Sequence, residues 1–166
     1  MPNPGLQSSL VMPQVIGLVI TKDEKISLCP VNWHIVSTKY ENPMTVCIGL
    51  SHGHYTLEVI EKNEEFVFAY PTRDQLKDTL YCGSVSGRNV DKVEQTNFEF
   101  IPSQKVKPPI LKEAVLNLEC KLDQKIVMGN YTILVGIVQV VHESDKSPLD
   151  KIYSLGDQNY GVVNDL

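Results

Sequence analysis

Two loops of this chain are built from groups that hold anions. The first, Ser51-His52-Gly53-His54-Tyr55-Thr56, sets hydroxyls on both sides of a glycine and runs into a helical apolar pattern. Gly53 permits a tight turn with exposed N–H groups. The first amides of a helix opening there point back into the loop, where negative charge is favoured. The second loop, "CGSVSGRNVDK" at 82–92, adds Ser84, Ser86 and Gly87 and ends on Lys92, which can meet a phosphate as a point charge. Taken alone, each loop also suits a plainer role. The first reads more simply as a capped turn, and Lys92 as a solvated lysine paired with Asp91 or Glu94. A third stretch, "SLCPVNWHIVS" at 27–37, holds the only tryptophan beside Asn32 and His34. Trp33 suits a core position or the flank of a flat aromatic ligand, with Asn32 or backbone amides bonding that ligand's edge.

Other chemistries have little support. Of the histidines at 34, 52, 54 and 142, only His52 and His54 are close, with no third ligand nearby, so no metal site is expected. Neither a P-loop nor a dinucleotide-binding glycine pattern occurs. No nucleophile signature and no pair of tuned carboxylates stands out, so no catalytic side chain is assigned.

The elements that must position these loops are mostly strands. "QVIGLVIT" (14–21), "TVCIGL" (45–50), "FVFAY" (66–70) and "TILVGIVQVV" (132–141) are apolar runs bounded by polar turns, with Gly136 a candidate bulge. "LNLECKLD" (116–123) alternates strictly, which predicts a strand with Leu116, Leu118, Cys120 and Leu122 inward. Asn117, Glu119, Lys121 and Asp123 then form a wet face. Thr56 is placed to cap a helix over "LEVIEKN". Thr72 and Gln75 have capping-box spacing before a second helix that Gly83 can stop. A short third helix is expected over Val90–Thr96, and "VKPPIL" (106–111) reads as an extended surface connector. Six or more strands with two or three short helices predict a mainly β, antiparallel barrel partly covered by helices, in one domain over 1–166.

A net charge of -5 argues against nucleic acid or an anionic membrane as partner. The four cysteines at 29, 47, 82 and 120 show no C-x-x-C spacing, and the longest apolar run, Val15–Ile20, is too short to span a bilayer. With no cationic stretch preceding an apolar one at the N-terminus, the expected compartment is a reducing cytoplasm.

Four segments, in order, resemble the flavin reductase-like family of FMN-binding split barrels, flavoredoxin-type members in particular. They are "HYTLEVIEKNEEFVFAYPT", "YCGSVSGRNVDKVEQTNFE", "KVKPPILKEAVLNLECKL" and "GNYTILVGIVQVVH". His54 stands where the family commonly has Arg, and Tyr131 where it often has His. The resemblance implies an antiparallel split β-barrel and FMN as cofactor. Phosphate would be held by Ser51, Thr56 and Lys92, with His54, Tyr55, Ser86 and Gly87 beside it. Pro30, Val31, Asn32 and Trp33 would face the flavin ring, and Tyr131 and Tyr160 would close the site. It further implies a homodimer with flavin at the subunit interface. The implied activity passes electrons from NAD(P)H or a protein donor to flavin, ferric complexes or another acceptor. A non-enzymatic FMN-binding electron carrier or flavin-storage protein is the alternative.

Overall fold

A computed structural model describes residues 11–37 and 42–164 of the chain. The strands are β1 (Gln14–Val15), β2 (Gly17–Lys22), β3 (Ile26–Val31), β4 (His34–Val36), β5 (Thr45–Ser51) and β6 (Glu65–Tyr70). They continue with β7 (Phe100–Ile101), β8 (Ile110–Leu111), β9 (Leu116–Met128), β10 (Tyr131–Glu143), β11 (Tyr153–Gly156) and β12 (Asn159–Gly161). Helix α1 spans Tyr55–Asn63 and α2 spans Leu76–Ser84.

Seven strands form one antiparallel sheet in the order β3-β2-β6-β9-β10-β5-β4. Its two outer strands, β3 and β4, are consecutive in the chain, separated only by Asn32 and Trp33. A sheet whose opposite edges are joined by two residues must curl until those edges meet at a corner. That corner makes the sheet a split barrel.

Continuous apolar runs follow from burial on both faces. Val19, Cys29, Ile48, Phe66, Phe68, Leu118 and Leu134 fill the concave side, with Leu57 and Ile60 of α1. Leu18, Ile20, Leu28, Val67 and Ala69 point outward under α2 and the 98–114 segment, against Cys82, Phe98 and Leu111. The expected strand at 14–21 is divided at Ile16, whose N–H donates to Ile152 O at 2.8 Å. β1 thereby leaves the main sheet for a small one with β11 and β12.

Gly136 does mark an irregularity, though the extra residue is Asp123 on the opposite strand, where the register steps from Val135↔Gln124 to Gly136↔Leu122. A Cβ on Gly136 would lie 2.6 Å from the Phe66 ring. The wet face predicted for β9 is a correction: Asn117 and Glu119 are buried. Asn117 Oδ1 accepts from Leu111 N at 2.8 Å, and Glu119 accepts from the backbone of Gln104 and Lys105. The proline-rich segment therefore covers the sheet, and its Ile110 and Leu111 are buried as β8. No third helix forms over 90–96, which turns instead, with Asp91 Oδ1 accepting from Val93 N at 3.0 Å. Gly83 does not stop α2, which runs on to Ser84. Gln75 does accept from Thr72 N at 3.0 Å, as the capping-box spacing predicts.

Candidate functional site

The loop after β5 and the loop after α2 meet over the end of β3. Helix α1 begins two residues before the expected position, with His54 rather than Thr56 as N-cap. Thr56 lies inside the first turn, and its hydroxyl and that of Ser27 are hydrogen-bonded at 3.2 Å. This junction also explains Gly87, where a Cβ would meet Ser27 Oγ at 2.9 Å and the Tyr55 ring at 3.2 Å. Arg88, which the sequence reading passed over, ties the two loops together. Its guanidinium donates to Gly53 O at 3.0 Å and to Glu58, and lies 5.7 Å from the Tyr55 ring centroid. An arginine inside a glycine-punctuated loop was the available signal.

The two loops enclose a cleft lobe of about 270 Å³ lined by Pro30, Gly53, His54, Tyr55, Thr56, Ser84, Ser86, Gly87 and Lys92. Lys92 is not the solvated lysine of the plainer reading. It is only 5% exposed, and its Nζ donates to Leu28 O at 2.7 Å and Cys82 O at 2.5 Å. Burial lowers its pKa, and among the described residues no carboxylate pairs with it. His54 makes no side-chain cap bond. Its pKa is lowered by burial and then by the Lys92 charge, so the imidazole is mostly neutral at pH 7. A buried cation without a carboxylate partner, beside a helix start that no side chain caps, is an environment that favours an anion.

A second lobe of about 690 Å³ adjoins the first through Pro30, Gly83 and Ser84. Its other walls are Ile16, Val31, Asn32, Leu80, Ser154, Gln158 and Tyr160. None of these is charged, so the lobe suits a neutral, largely apolar body. Ile16, Leu80, Ser154 and Gln158 were not singled out in the sequence, because distant segments bring them together.

Ten of the thirteen expected residues line one lobe or the other, and Ser51, Trp33 and Tyr131 do not. Ser51 serves through its carbonyl, which accepts from His54 N at 3.0 Å. Trp33 is 44% exposed, neither a core residue nor a wall of the cleft, and meets Tyr131 edge-on at 5.4 Å between centroids. Its ring covers Gly49, where a Cβ would lie 2.0 Å from Trp33 Cε3. Gly49→Ala is expected to swing the indole into water. Tryptophan emission then shifts red at a stability cost of about 1–2 kcal/mol, because the ring has open space to enter. An unchanged spectrum would show that the backbone yields instead.

The curled sheet, with a lobe around a buried lysine joined to an uncharged lobe, defines a split-barrel protein with a two-part cleft. Comparison with known proteins places it further: the flavin reductase like domain matches residues 8–160, and the chain belongs to that family. An uncharacterized protein of Archaeoglobus fulgidus is 33% identical over 126 residues, 75% of this chain and 70% of that one. Flavoredoxin from Methanosarcina acetivorans superposes with a TM-score of 0.85 at 26% identity, covering 100% of this chain and 91% of its own. An FMN-binding protein from Thermus thermophilus, solved with bound 1-cyclohex-2-enone, shares the fold at a TM-score of 0.82 and 24% identity. That match covers 98% of this chain and 92% of the other.

Proposed function

We propose that this chain is an FMN-binding oxidoreductase, which takes electrons from NAD(P)H or a protein donor and passes them to flavin, ferric complexes or another acceptor. The observation that carries this reading is the buried, unpaired Lys92 at the floor of the anion lobe. Lys92, the first-turn amides at Tyr55 and Thr56, and the Ser86 hydroxyl would hold the phosphate. Pro30, Val31 and Tyr160 would wall the ring from water, and Asn32 would bond its edge. FMN is favoured over FAD because the anion lobe holds a single lysine, Lys92, and the sequence carries no dinucleotide fingerprint. The bound flavin supplies the hydride and single-electron chemistry, and the protein supplies orientation and electrostatics.

The same reading takes the protein as a cytoplasmic homodimer. Exposed apolar side chains gather at the tip of the β9–β10 hairpin and on β4: Ile35, Ile126, Val127, Met128 and Tyr131, with Trp33 beside them. Such a patch is the usual mark of an interface, and its Trp33 is the chain neighbour of Asn32 on the ring lobe's lining. Purified protein, or apo-protein reconstituted with FMN, is expected to be yellow and to release FMN on denaturation. It is expected to oxidise NADH or NADPH with added flavin or ferric chelate, and to scatter light at twice the chain mass of 18.6 kDa. FAD as the dominant cofactor, or no flavin after reconstitution, rejects the reading. Bound FMN without nicotinamide oxidation leaves an electron carrier.

A further inference from the structure

The ring lobe has two side-chain amides on its lining. Asn32 comes from the corner between β3 and β4, and Gln158 from the tip of the β11–β12 hairpin. The turn that presents Gln158 is unusual. Gly156 and Asn159 are paired, so Asp157 and Gln158 form a two-residue hairpin loop. Both have left-handed backbones, with φ of 50° and 61°. A two-residue loop of this hand selects Asp-Gly or Asn-Gly, because an L side chain in that region is strained. Asp157 satisfies the first half of that preference. At the second position the chain carries glutamine where the fold alone asks for glycine. Strain of this kind at the edge of a cleft points to a side chain with a task there.

We infer that Gln158 is a specificity-determining residue of this lobe, its amide bonding an O=C–N–H edge of the flat molecule held there. A carboxamide offers a donor and an acceptor side by side, which matches such an edge with two hydrogen bonds. Hydroxyls on the same lining, Ser84 and Ser154, offer single contacts without that pairing. The inference rests on the reading of the cleft as a flavin site, and the edge has two sources. One is the pyrimidine edge of the flavin, and the other is the carboxamide of a nicotinamide donor stacked against it.

Gln158→Gly tests the assignment without threatening the fold, because glycine suits the observed φ. Its melting temperature should hold or rise by about 2–4 °C. Loss of the amide should weaken binding of the partner it reads by about five-fold. The FMN dissociation constant is measured by fluorescence titration of apo-protein. That of NAD+ or NADP+ is measured by perturbation of the flavin spectrum in FMN-loaded protein. A rise in the first assigns the flavin edge, and a rise in the second alone assigns the nicotinamide. Gln158→Asn, which keeps the amide and tolerates the turn, should recover part of the loss. If wild-type protein binds FMN and Gln158→Gly matches it in both titrations, Gln158 is only a turn residue and the inference fails. If wild-type protein binds no FMN, the reading of the cleft fails first.

Discussion

Lys92→Met raises the FMN dissociation constant by about 10- to 100-fold, while Lys112→Met changes it less than two-fold. A hydrogen bond to a charged group contributes about 1.5–3 kcal/mol, and each 1.4 kcal/mol is a decade in affinity. Lys112 makes a useful control because its ammonium is exposed and already pairs with Glu99 at 2.7 Å. Lys92 differs on both counts. Two backbone carbonyls fix its position, yet they leave its charge uncompensated. The substitution also bears on stability, with a sign that depends on pH. Burial holds the folded pKa of Lys92 below its ordinary value of 10.5. Between those two values the unfolded chain binds more protons than the folded one, so the stability of the apo-protein rises with pH in that window. At neutral pH the buried charge is a cost that the variant removes, set against two carbonyls that lose their donor. Burial also raises the pKa of Cys29, Cys82, Cys120 and Tyr70, which costs both proteins stability at high pH. Denaturant melts of apo-protein at pH 7 and pH 10 should therefore show a change with pH that is more favourable for wild type than for Lys92→Met. Equal FMN affinities for the two lysine variants would leave Lys92 as a structural strut.

Much of this site could be read from the sequence, because an anion loop is a local pattern. Gly53 and Thr56 before a helical run, and Ser86 and Gly87 before a lysine, announce backbone donors and hydroxyls wherever they fold. What a local pattern does not carry is the direction in which a side chain turns. Lys92 has acidic neighbours on both sides in sequence, and their proximity suggested surface pairing. The turn at Asp91–Val93 instead sends it under the loop. The alternation in β9 misled for a similar reason. Strict period two identifies a strand and its two faces, but it cannot register a proline-rich segment that later lies across one of them. Gln158 was invisible because its significance needs both the turn conformation and the opposing wall. The curl of the sheet is different again. Two residues between β3 and β4 suffice to demand it, but only once those strands are known to be the sheet's edges.

Glu119→Ala should cost about 3–5 kcal/mol, roughly 10 °C in melting temperature for a chain of this size, with FMN affinity unchanged. The carboxylate is fully buried on the outer face of β9. It accepts from Gln104 N at 2.7 Å, Lys105 N at 2.6 Å and His142 Nε2 at 2.7 Å. Three donors from two segments thus converge on one side chain, and they pin the 102–109 segment over the sheet. Truncation removes the one acceptor shared by two backbone N–H groups and His142 and leaves a void where the buried carboxylate stood. Burial alone would raise the carboxyl pKa. The bonds from Gln104 N–H, His142 and Lys105 N–H outweigh it and hold the folded value below 4.5. A depressed folded pKa contributes stability above the unfolded value, and that contribution is lost as pH falls through the folded value. Glu119→Gln keeps the shape and one acceptor but loses this dependence. The stability gap between wild type and Glu119→Gln is therefore widest near neutral pH and closes in acid. Urea melts at pH 7 and pH 3 measure both gaps. A gap that stays constant between those pH values would mean that the three bonds do not depend on charge. An alanine variant that melts with wild type would mean that the segment is held by its apolar contacts at Ile110 and Leu111 alone. Neither lobe of the cleft includes Glu119 or any of its partners, so a parallel loss of FMN binding would reveal coupling between the covering segment and the site.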